Sequence, residues 1–259
     1  MSVSSNRNPH FSSKKRAAFE ALLRKEGLSK PDFRAIAPRA DSAPPPLSPA
    51  QQGLWFINEL DPGNLSYTDS FAFRLIGQID IKALSQSINE VIRRHESLRT
   101  AFRVIDGMPV QIINPSLSLP VSVIDLTGLP ESVRAAEAQS LAATQARLPF
   151  DLTTGPLLRV SLSRLDINEH ILLFTVHHMV SDGWSLGLLV KELSALYEAF
   201  SHGEPSPLAE LPIQYADYAA WEQGRLIELI ELHLPFWRDR LAAAPASLDL
   251  PTDRPRPPA

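Results

Sequence analysis

Two clusters of proline residues restrict where this chain can form regular structure. Proline accounts for 23 of the 259 residues, about 9% against a usual ~5%, and it interrupts helices and sheets because it fixes φ and lacks a backbone donor. One cluster lies at residues 38–49 and the other at residues 251–258. We therefore predict a folded domain at residues 47–250. A helix near residues 15–26 and a proline-rich linker fill residues 1–46, and residues 251–259 form a proline-rich tail.

The composition of the chain argues against several kinds of partner and site. The formal net charge is −4, whereas domains that grip nucleic acid usually carry a clustered basic excess. The absence of cysteine excludes disulfide frameworks, thiolate zinc sites and cysteine nucleophiles. No apolar segment reaches the ~20 residues that a membrane helix needs, and the first 16 residues do not resemble a secretory signal. We expect a cytoplasmic protein that binds neither nucleic acid nor a membrane.

Within residues 47–250, the spacing of apolar residues alternates between the period of strands and that of helices. Asp80 is placed to cap a helix after the first strand, and Asp106 with Gly107 forms a pair that tolerates the positive φ of a tight hairpin turn. The predicted strands lie at residues 71–76, 98–104, 110–113, 157–165 and 171–176, and the predicted helices at residues 81–92, 131–147 and 185–200.

The strand at residues 171–176 constrains the fold more than the others. It lacks the polar alternation of a half-exposed strand, which indicates that both of its faces are covered and that it is central in its sheet. A helix follows directly, with Ser185 as its predicted N-cap and one apolar stripe along its length. Elements in this order predict an α/β chain of the α+β sandwich kind, with helices packed on a mixed, mostly antiparallel sheet.

The sequence HHMVSDG connects this strand to the following helix, at residues 177–183. Adjacent residues at a strand end point to opposite sides of the backbone, so one of His177 and His178 faces inward while the other faces a cleft. Asp182 lies close enough in the chain for a tight loop to bring it under the histidines. Gly183 offers the conformational freedom that such a reversal can use. This grouping predicts one reactive and one packed histidine.

Two other interpretations of these residues stay open at this level. A histidine beside an apolar strand is most often a satisfied core residue. Two histidines and an aspartate can also ligate a metal ion, but adjacent histidines rarely converge on one ion and the sequence offers no evident third ligand. We therefore predict no metal site.

Four segments, in order, resemble the motifs of the condensation domains of nonribosomal peptide synthetases. HHMVSDGWS at residues 177–185 resembles the family's HHxxxDG signature, and SPAQQGLWF at residues 48–56 is similar to its opening block. RHESLRTAF at residues 94–102 and YADYAAW at residues 215–221 resemble two further blocks. The resemblance covers residues 47–255. We interpret the other block residues as packing residues, namely Trp55 and Phe56 in the core and Tyr215, Asp217, Tyr218 and Trp221 on a helix face against the sheet.

The resemblance implies a chloramphenicol-acetyltransferase-like lobe with acyltransferase activity. Members of the family join two acyl groups, carried as thioesters on phosphopantetheine arms of carrier proteins, into an amide. By this resemblance His178 is catalytic: it orients the acceptor amine and accepts its proton, a contribution usually put at ~10²–10⁴ in rate. The sequence leaves open how positioning and base catalysis divide that contribution. The backbone N–H of Gly183 lies beside the developing oxyanion, and His177 is the packed histidine.

The resemblance also implies a structural ion pair at the site. In the family, the aspartate of the signature pairs with an arginine of the RHExLRTxF block. Here Asp182 has Arg94 as the first choice and Arg99 as the alternative. Breaking a buried pair costs several kcal/mol because the other charge is left unpaired. We make this ion pair, together with a His178 ring that reaches solvent, a condition of the amide-forming assignment.

Further expectations follow from the same resemblance. The residues after Asp182 and Gly183 favour the ordinary type of domain, which joins two L-configured units. The chain binds no cofactor directly, because it contains no Gly-Gly-x-Ser carrier signature and the pantetheine arms then come from partner carrier proteins or other synthetase domains. A family member has two lobes, so residues 251–259 are expected to lead into a missing C-terminal lobe.

Two alternatives to an incomplete enzyme stay open. One is a non-catalytic module that binds carrier proteins or neighbouring synthetase chains. The other is a self-sufficient acyltransferase formed by self-association, since relatives with a single lobe work as trimers that share sites across their interfaces.

Overall fold

The computed structural model describes residues 36–40, 43–245, 251, 253 and 254. The chain divides into two compact units, Met1–Ile36 and Ala37–Ala259, and the described residues lie almost entirely in the second. The helix predicted near residues 15–26 lies outside the described residues.

The described part of the chain contains the strands and helices that the apolar spacing predicts, and also a helix at Pro49–Leu60 and a strand at Ser122–Asp125 that it did not predict. The helices are α1 (Pro49–Leu60), α2 (Ile81–Arg94), α3 (Glu131–Ala146), α4 (Gly183–Ser201) and α5 (Tyr215–Leu241), with a short 3₁₀ turn at Glu96–Arg99. The strands are β1 (Thr68–Ile76), β2 (Thr100–Ile105), β3 (Met108–Ile113), β4 (Ser122–Asp125), β5 (Leu158–Asp166) and β6 (Glu169–His177).

Four of the strands form one mixed sheet in the order β1-β6-β5-β4. β6 pairs antiparallel with β1 and with β5, and β4 runs parallel to β5. β2 and β3 form a separate antiparallel hairpin. The sheet is thus mostly antiparallel, and the predicted central position of the strand at residues 171–176 is confirmed.

The larger part of the core lies between this sheet and helices α2 and α4. Ile88 and Ile92 of α2, Leu196 of α4, and Leu172 and Val176 of β6 are all buried in one cluster. Each such side chain contributes about 1.5–3 kcal/mol on burial. Side chains on the opposite face of the sheet belong to a smaller cluster that includes Ala138 of α3. β6 is therefore covered on both faces, which explains why it lacks polar alternation.

Two local predictions about caps and turns are confirmed. The Oδ1 atom of Asp80 accepts hydrogen bonds from the backbone N–H groups of Lys82 and Ala83, at 2.9 and 3.0 Å, and so caps α2. Asp106 and Gly107 have φ values of 51° and 80°, the left-handed conformation that a tight hairpin turn requires.

The strand predicted at residues 98–104 begins later than expected, at Thr100. The N–H of Leu98 donates to the carbonyl of His95, which closes the 3₁₀ turn and occupies the first residues of the predicted strand. The alternation of apolar residues that is typical of a strand therefore begins at Leu98, two residues before the backbone becomes extended.

The packing predicted for the aromatic blocks is only partly correct. Trp55 is buried but Phe56 is exposed, because adjacent residues on a helix diverge by about 100°. The beginning of α5 contacts the segment before α1 rather than the sheet. Tyr215 shares a 2.9 Å hydrogen bond between its hydroxyl and that of Ser48, and buried Asp217 forms a 2.8 Å ion pair with Arg39.

Candidate functional site

The candidate site lies where β6 ends and α4 begins. β6 ends at His177 and α4 begins at Gly183. The N–H of His178 donates to the carbonyl of Tyr67 at 2.9 Å, which extends the β1–β6 ladder by one residue beyond the paired strands. The backbone of His178 is thus fixed by the sheet, although His178 itself lies in the connecting loop.

His177 faces the protein interior. It is 5% exposed, its ring meets the Phe150 ring edge to face at 6.1 Å, and its Nδ1 atom accepts a 3.1 Å hydrogen bond from the N–H of Met179. Burial, with the charge of His178 as a smaller cause, lowers the pKa of His177 to about 4. His177 is therefore a neutral, packed histidine, in the orientation expected from the sequence.

His178 faces the opposite side, and its side chain is 35% exposed. The Nδ1 atom lies 2.9 Å from the carbonyl oxygen of Ser181. Because a carbonyl oxygen only accepts, Nδ1 carries a proton and donates it. The ring is therefore anchored through Nδ1, and Nε2 is the nitrogen left to face a substrate. The ring reaches solvent, which meets one of the two conditions set from the sequence.

The Nε2 atom of His178 lies 3.2 Å from Oδ2 of Asp69 on β1. Asp69 pairs in register with Val176, so that it is the diagonal neighbour of His178 on the same face of the two strands. Sequence reasoning missed this residue because the spacing of the HHMVSDG motif says nothing about which strand lies beside it. One feature of the sequence could have drawn attention to Asp69: it is an acidic residue in a strand whose other residues are alternately part-buried and exposed.

Asp182 caps α4 instead of pairing with an arginine. Its Oδ1 atom accepts hydrogen bonds from the N–H and the hydroxyl of Ser185, at 2.7 and 2.6 Å. These bonds, the hydroxyl first, lower the pKa of Asp182. The predicted cap residue, Ser185, is thus a donor inside the helix, and Asp182 is the N-cap. The predicted ion pair between Asp182 and Arg94 or Arg99 is wrong.

The two arginines have other partners. Arg94, whose side chain is 3% exposed, places its Nε atom 3.2 Å from Oε2 of Glu192 on α4. Arg99 donates to the carbonyl of Asn114 and lies 3.7 Å from the Glu96 carboxylate. Asp182 is about 15 Å from Glu192 along the axis of α4, at 1.5 Å per residue. Arg94 is the last residue of α2 and lies beside Glu192 of α4. The packing of α2 against α4 therefore decides which carboxylate Arg94 pairs with.

Glu192 joins Arg94 to a second basic residue. Oε2 of Glu192 also lies 2.8 Å from Nε2 of His95. Burial opposes the ionisation of Glu192, but hydrogen bonds from Arg94 and His95 outweigh that effect and lower its pKa. This partly buried cluster connects the end of α2 to the middle of α4.

Gly183 is the first residue of α4 and does not use the conformational freedom that was expected of it. Its φ is not among the positive values of this chain, and an added Cβ meets no atom within 4 Å. The backbone N–H groups of a first helical turn have no carbonyl partner within the helix, and they carry the positive end of the helix dipole. Next to it, the Trp184 side chain is 82% exposed.

The described residues lack two features that other kinds of site would need. No group of three or more histidine, cysteine, aspartate or glutamate side chains in this part of the chain is arranged to hold a metal ion. No helix described here is long and apolar enough to cross a membrane.

Comparison with known proteins identifies the family of the chain. The family model for condensation domains matches residues 43–259. A linear gramicidin synthase of Brevibacillus parabrevis is 48% identical over 213 residues, which cover 82% of this chain and 4% of that protein. Phosphinothricin tripeptide synthetase PhsC of Streptomyces viridochromogenes is 45% identical over 249 residues, which cover 95% of this chain and 23% of that protein.

Solved structures share the fold. The X-domain from teicoplanin biosynthesis superposes with a TM-score of 0.75 and 30% identity, and the match covers 86% of this chain and 49% of that one. The starter condensation domain of rhizomide synthetase RzmA gives a TM-score of 0.72 at 21% identity, with 79% and 49% covered. The predicted fold class is confirmed, and the chain spans about half the length of these solved chains.

The structure does not meet the second condition set from the sequence, the ion pair of Asp182 with Arg94 or Arg99. That condition was wrong, and family membership rests on the matches along the chain instead. The chain therefore belongs to the condensation-domain family of nonribosomal peptide synthetases.

Proposed function

We propose that this chain is the N-terminal part of a domain that forms peptide bonds between carrier-bound aminoacyl or peptidyl thioesters. The observation that carries the proposal is the position of His178. Its ring is partly exposed and anchored through Nδ1 to Ser181, beside the first turn of α4, in a chain of the condensation-domain family.

In the proposed reaction, the acceptor amine attacks the donor thioester carbonyl, a C–N bond forms and the C–S bond breaks. The amine proton passes to Nε2 of His178 and then to the departing pantetheine sulfur. An α-amine with a pKa near ~8 is already neutral in about one molecule in ten at pH 7, so complete deprotonation of the ground state is worth only about 1.4 kcal/mol. The larger contribution comes from orienting the amine and accepting its proton around the tetrahedral intermediate.

The first turn of α4 supports a role for Gly183 in stabilising the oxyanion. Its N–H lies at the positive end of the helix dipole, and the space beside its Cα is open, so a substrate carbonyl can approach the backbone. A backbone donor that is fixed before the reaction stabilises developing charge without reorganisation. His177 and Asp182 have structural roles in this proposal, the first by packing and the second by capping α4.

The second half of α5 supports the proposal that a C-terminal lobe is needed. Ile227, Leu232, Phe236 and Trp237 are all exposed there, and an extensive exposed apolar surface marks an interaction site. We propose that the lobe completing the domain covers this surface and closes the cleft over His178.

The proposal has three further parts. Carrier proteins deliver both thioesters on phosphopantetheine arms. Both substrates are L-configured, and the protein is cytoplasmic.

The first test is the variant His178→Ala, in the chain joined to the C-terminal half of a condensation domain. Amide formation is measured between two carrier proteins loaded with L-aminoacyl thioesters. We expect kcat to fall by ~10²–10⁴, with an unchanged urea midpoint. The matched control is His202→Ala, which removes a histidine exposed at the far end of α4 and leaves kcat unchanged. If His178→Ala retains full turnover, the catalytic assignment is wrong.

The second test compares this chain alone with the completed domain, by turnover and by mass. Amide formation only in the completed domain supports the need for a second lobe, and amide formation by the chain alone, as a monomer or trimer, contradicts it. If neither form makes amide but both bind the carrier proteins, the non-catalytic module replaces the enzyme. Equal rates with D-configured donors would contradict the L-to-L assignment.

A further inference from the structure

We propose that Asp69 is a positioning residue for His178, and that its carboxylate stabilises the charged ring formed when His178 takes the amine proton. The inference rests on the proposed function. It adds a residue from β1, outside the four sequence motifs, to a site otherwise built from the β6–α4 connection.

One hydrogen bond and one ion pair involve the two nitrogens of the His178 ring. Nδ1 donates to the carbonyl oxygen of Ser181 at 2.9 Å, and Nε2 lies 3.2 Å from a carboxylate oxygen of Asp69. The contact with Asp69 is an ion pair at 3.2 Å, and a carboxylate at this distance favours the charged form of an imidazole ring. The Asp69 carboxylate therefore lies where it stabilises the imidazolium form of His178. This is the species that exists after the amine proton has been accepted and before it passes to the departing sulfur.

The sheet holds Asp69 in this position. β1 and β6 are paired over nine residues, from Thr68 opposite His177 to Ile76 opposite Glu169. The N–H of His178 adds one more backbone bond, to Tyr67. Asp69 and His178 therefore project from two hydrogen-bonded backbones on the same face, and no loop movement is needed to bring them together.

Among the titratable groups around the ring, Asp69 makes the direct contact. His177 on β6 is neutral near pH 7 because burial lowers its pKa to about 4. Asp182, at the start of α4, directs its Oδ1 atom to Ser185 and also interacts with His178 through its charge. Tyr67 offers the edge of its ring, with centroids 6.5 Å apart. Among the described residues, the Asp69 carboxylate forms its ion pair with His178 and none with a lysine or arginine. At about one-third exposure this pair is open to substrate, so its effect is smaller than that of a buried pair.

The first experiment needs no turnover. The ring of His178 is followed by ¹⁵N NMR in this chain over a range of pH. We expect Asp69→Asn to lower the pH at which Nε2 of His178 loses its proton, because the variant lacks the carboxylate that stabilises the charged ring. Asp106→Asn is the matched control, because Asp106 is exposed in the β2–β3 turn and asparagine tolerates its positive φ. The same pH dependence of the His178 ring in the wild type and in Asp69→Asn overturns the pairing.

The second experiment measures amide formation by the completed domain. We expect Asp69→Asn to lower kcat about tenfold with little change in KM for either thioester, and to move the acidic limb of the kcat profile to lower pH. Equal pH profiles, or a rise confined to the KM of the acceptor, overturn the positioning role; the latter result assigns Asp69 to binding the substrate ammonium. If the NMR result holds and no variant of the completed domain makes amide, the proposed function fails while the pairing of Asp69 with His178 stands.

Discussion

The site has two regions, which we call the rim (Asp69 and His178) and the support (Arg94, Glu192 and His177). They differ in how far their polar groups are exposed to solvent. In the rim, Asp69 and His178 are each about one-third exposed. In the support, Arg94 and His177 are buried and Glu192 is partly buried, and each has a defined hydrogen-bond partner. An unpaired polar group costs little beside water and several kcal/mol when buried. The rim can therefore keep a proton acceptor available to substrate, whereas the support must be fully paired.

The buried support also fixes the loop that carries the rim. Gln51 of α1 donates through Nε2 to the carbonyl of Met179 at 3.0 Å, and His177 accepts from the N–H of the same residue. The backbone N–H and the backbone carbonyl of Met179 are therefore both hydrogen-bonded, which fixes the loop one residue after His178. This comparison predicts that changes in the support lower stability, whereas changes in the rim lower turnover.

The largest stability effect is expected from Glu192→Gln. This change leaves the Arg94 guanidinium, 3% exposed, without its carboxylate, and removing one partner of a buried pair costs about 3 kcal/mol or more. The free energy of unfolding in urea at pH 7 measures the loss. Glu198→Gln is the control, because Glu198 lies exposed on the same helix, and it should change stability by less than about 0.5 kcal/mol. Equal effects from the two variants would contradict the role of Glu192 in the support.

A smaller effect is expected from the titration of His177. Its pKa is about 4 in the folded protein and about 6.5 in an unfolded chain, so the unfolded state binds more protons below pH 6.5. Stability from the neutral ring is complete above that pH and is lost as pH falls towards 4. Between pH 7 and pH 5 the loss is about 2 kcal/mol.

The control for this prediction is His177→Asn, which keeps an acceptor for the N–H of Met179 but does not titrate. Carboxylates contribute equally in both proteins, so the difference between the two pH dependences isolates His177. The unfolding free energy of the variant should fall by about 2 kcal/mol less than that of the wild type from pH 7 to pH 5. Parallel curves would mean that the ring is hydrated in the folded protein.

The sequence was sufficient for the parts of the site that depend on local period. Adjacent residues on a strand alternate, so the opposite orientations of His177 and His178 follow from the sequence alone. The partner of Arg94 could not be predicted, because it depends on how α2 and α4 pack and on which level of α4 faces the arginine. Asp69 was missed because it meets His178 only through the pairing of β1 with β6, which is not visible in either segment.

The smallest effect, on Asp182, decides between the contact predicted from the sequence and the one in the structure. As an N-cap, Asp182 supplies an oxygen that accepts from Ser185. Asparagine supplies the same oxygen without the charge, so Asp182→Asn should leave the unfolding free energy nearly unchanged, whereas Asp182→Ala should lower it by about 1 kcal/mol. An ion pair with a buried arginine predicts the reverse pattern, since removing the charge alone would cost several kcal/mol. Urea unfolding of the two variants therefore separates the two contacts, and a large loss in Asp182→Asn would restore the ion pair.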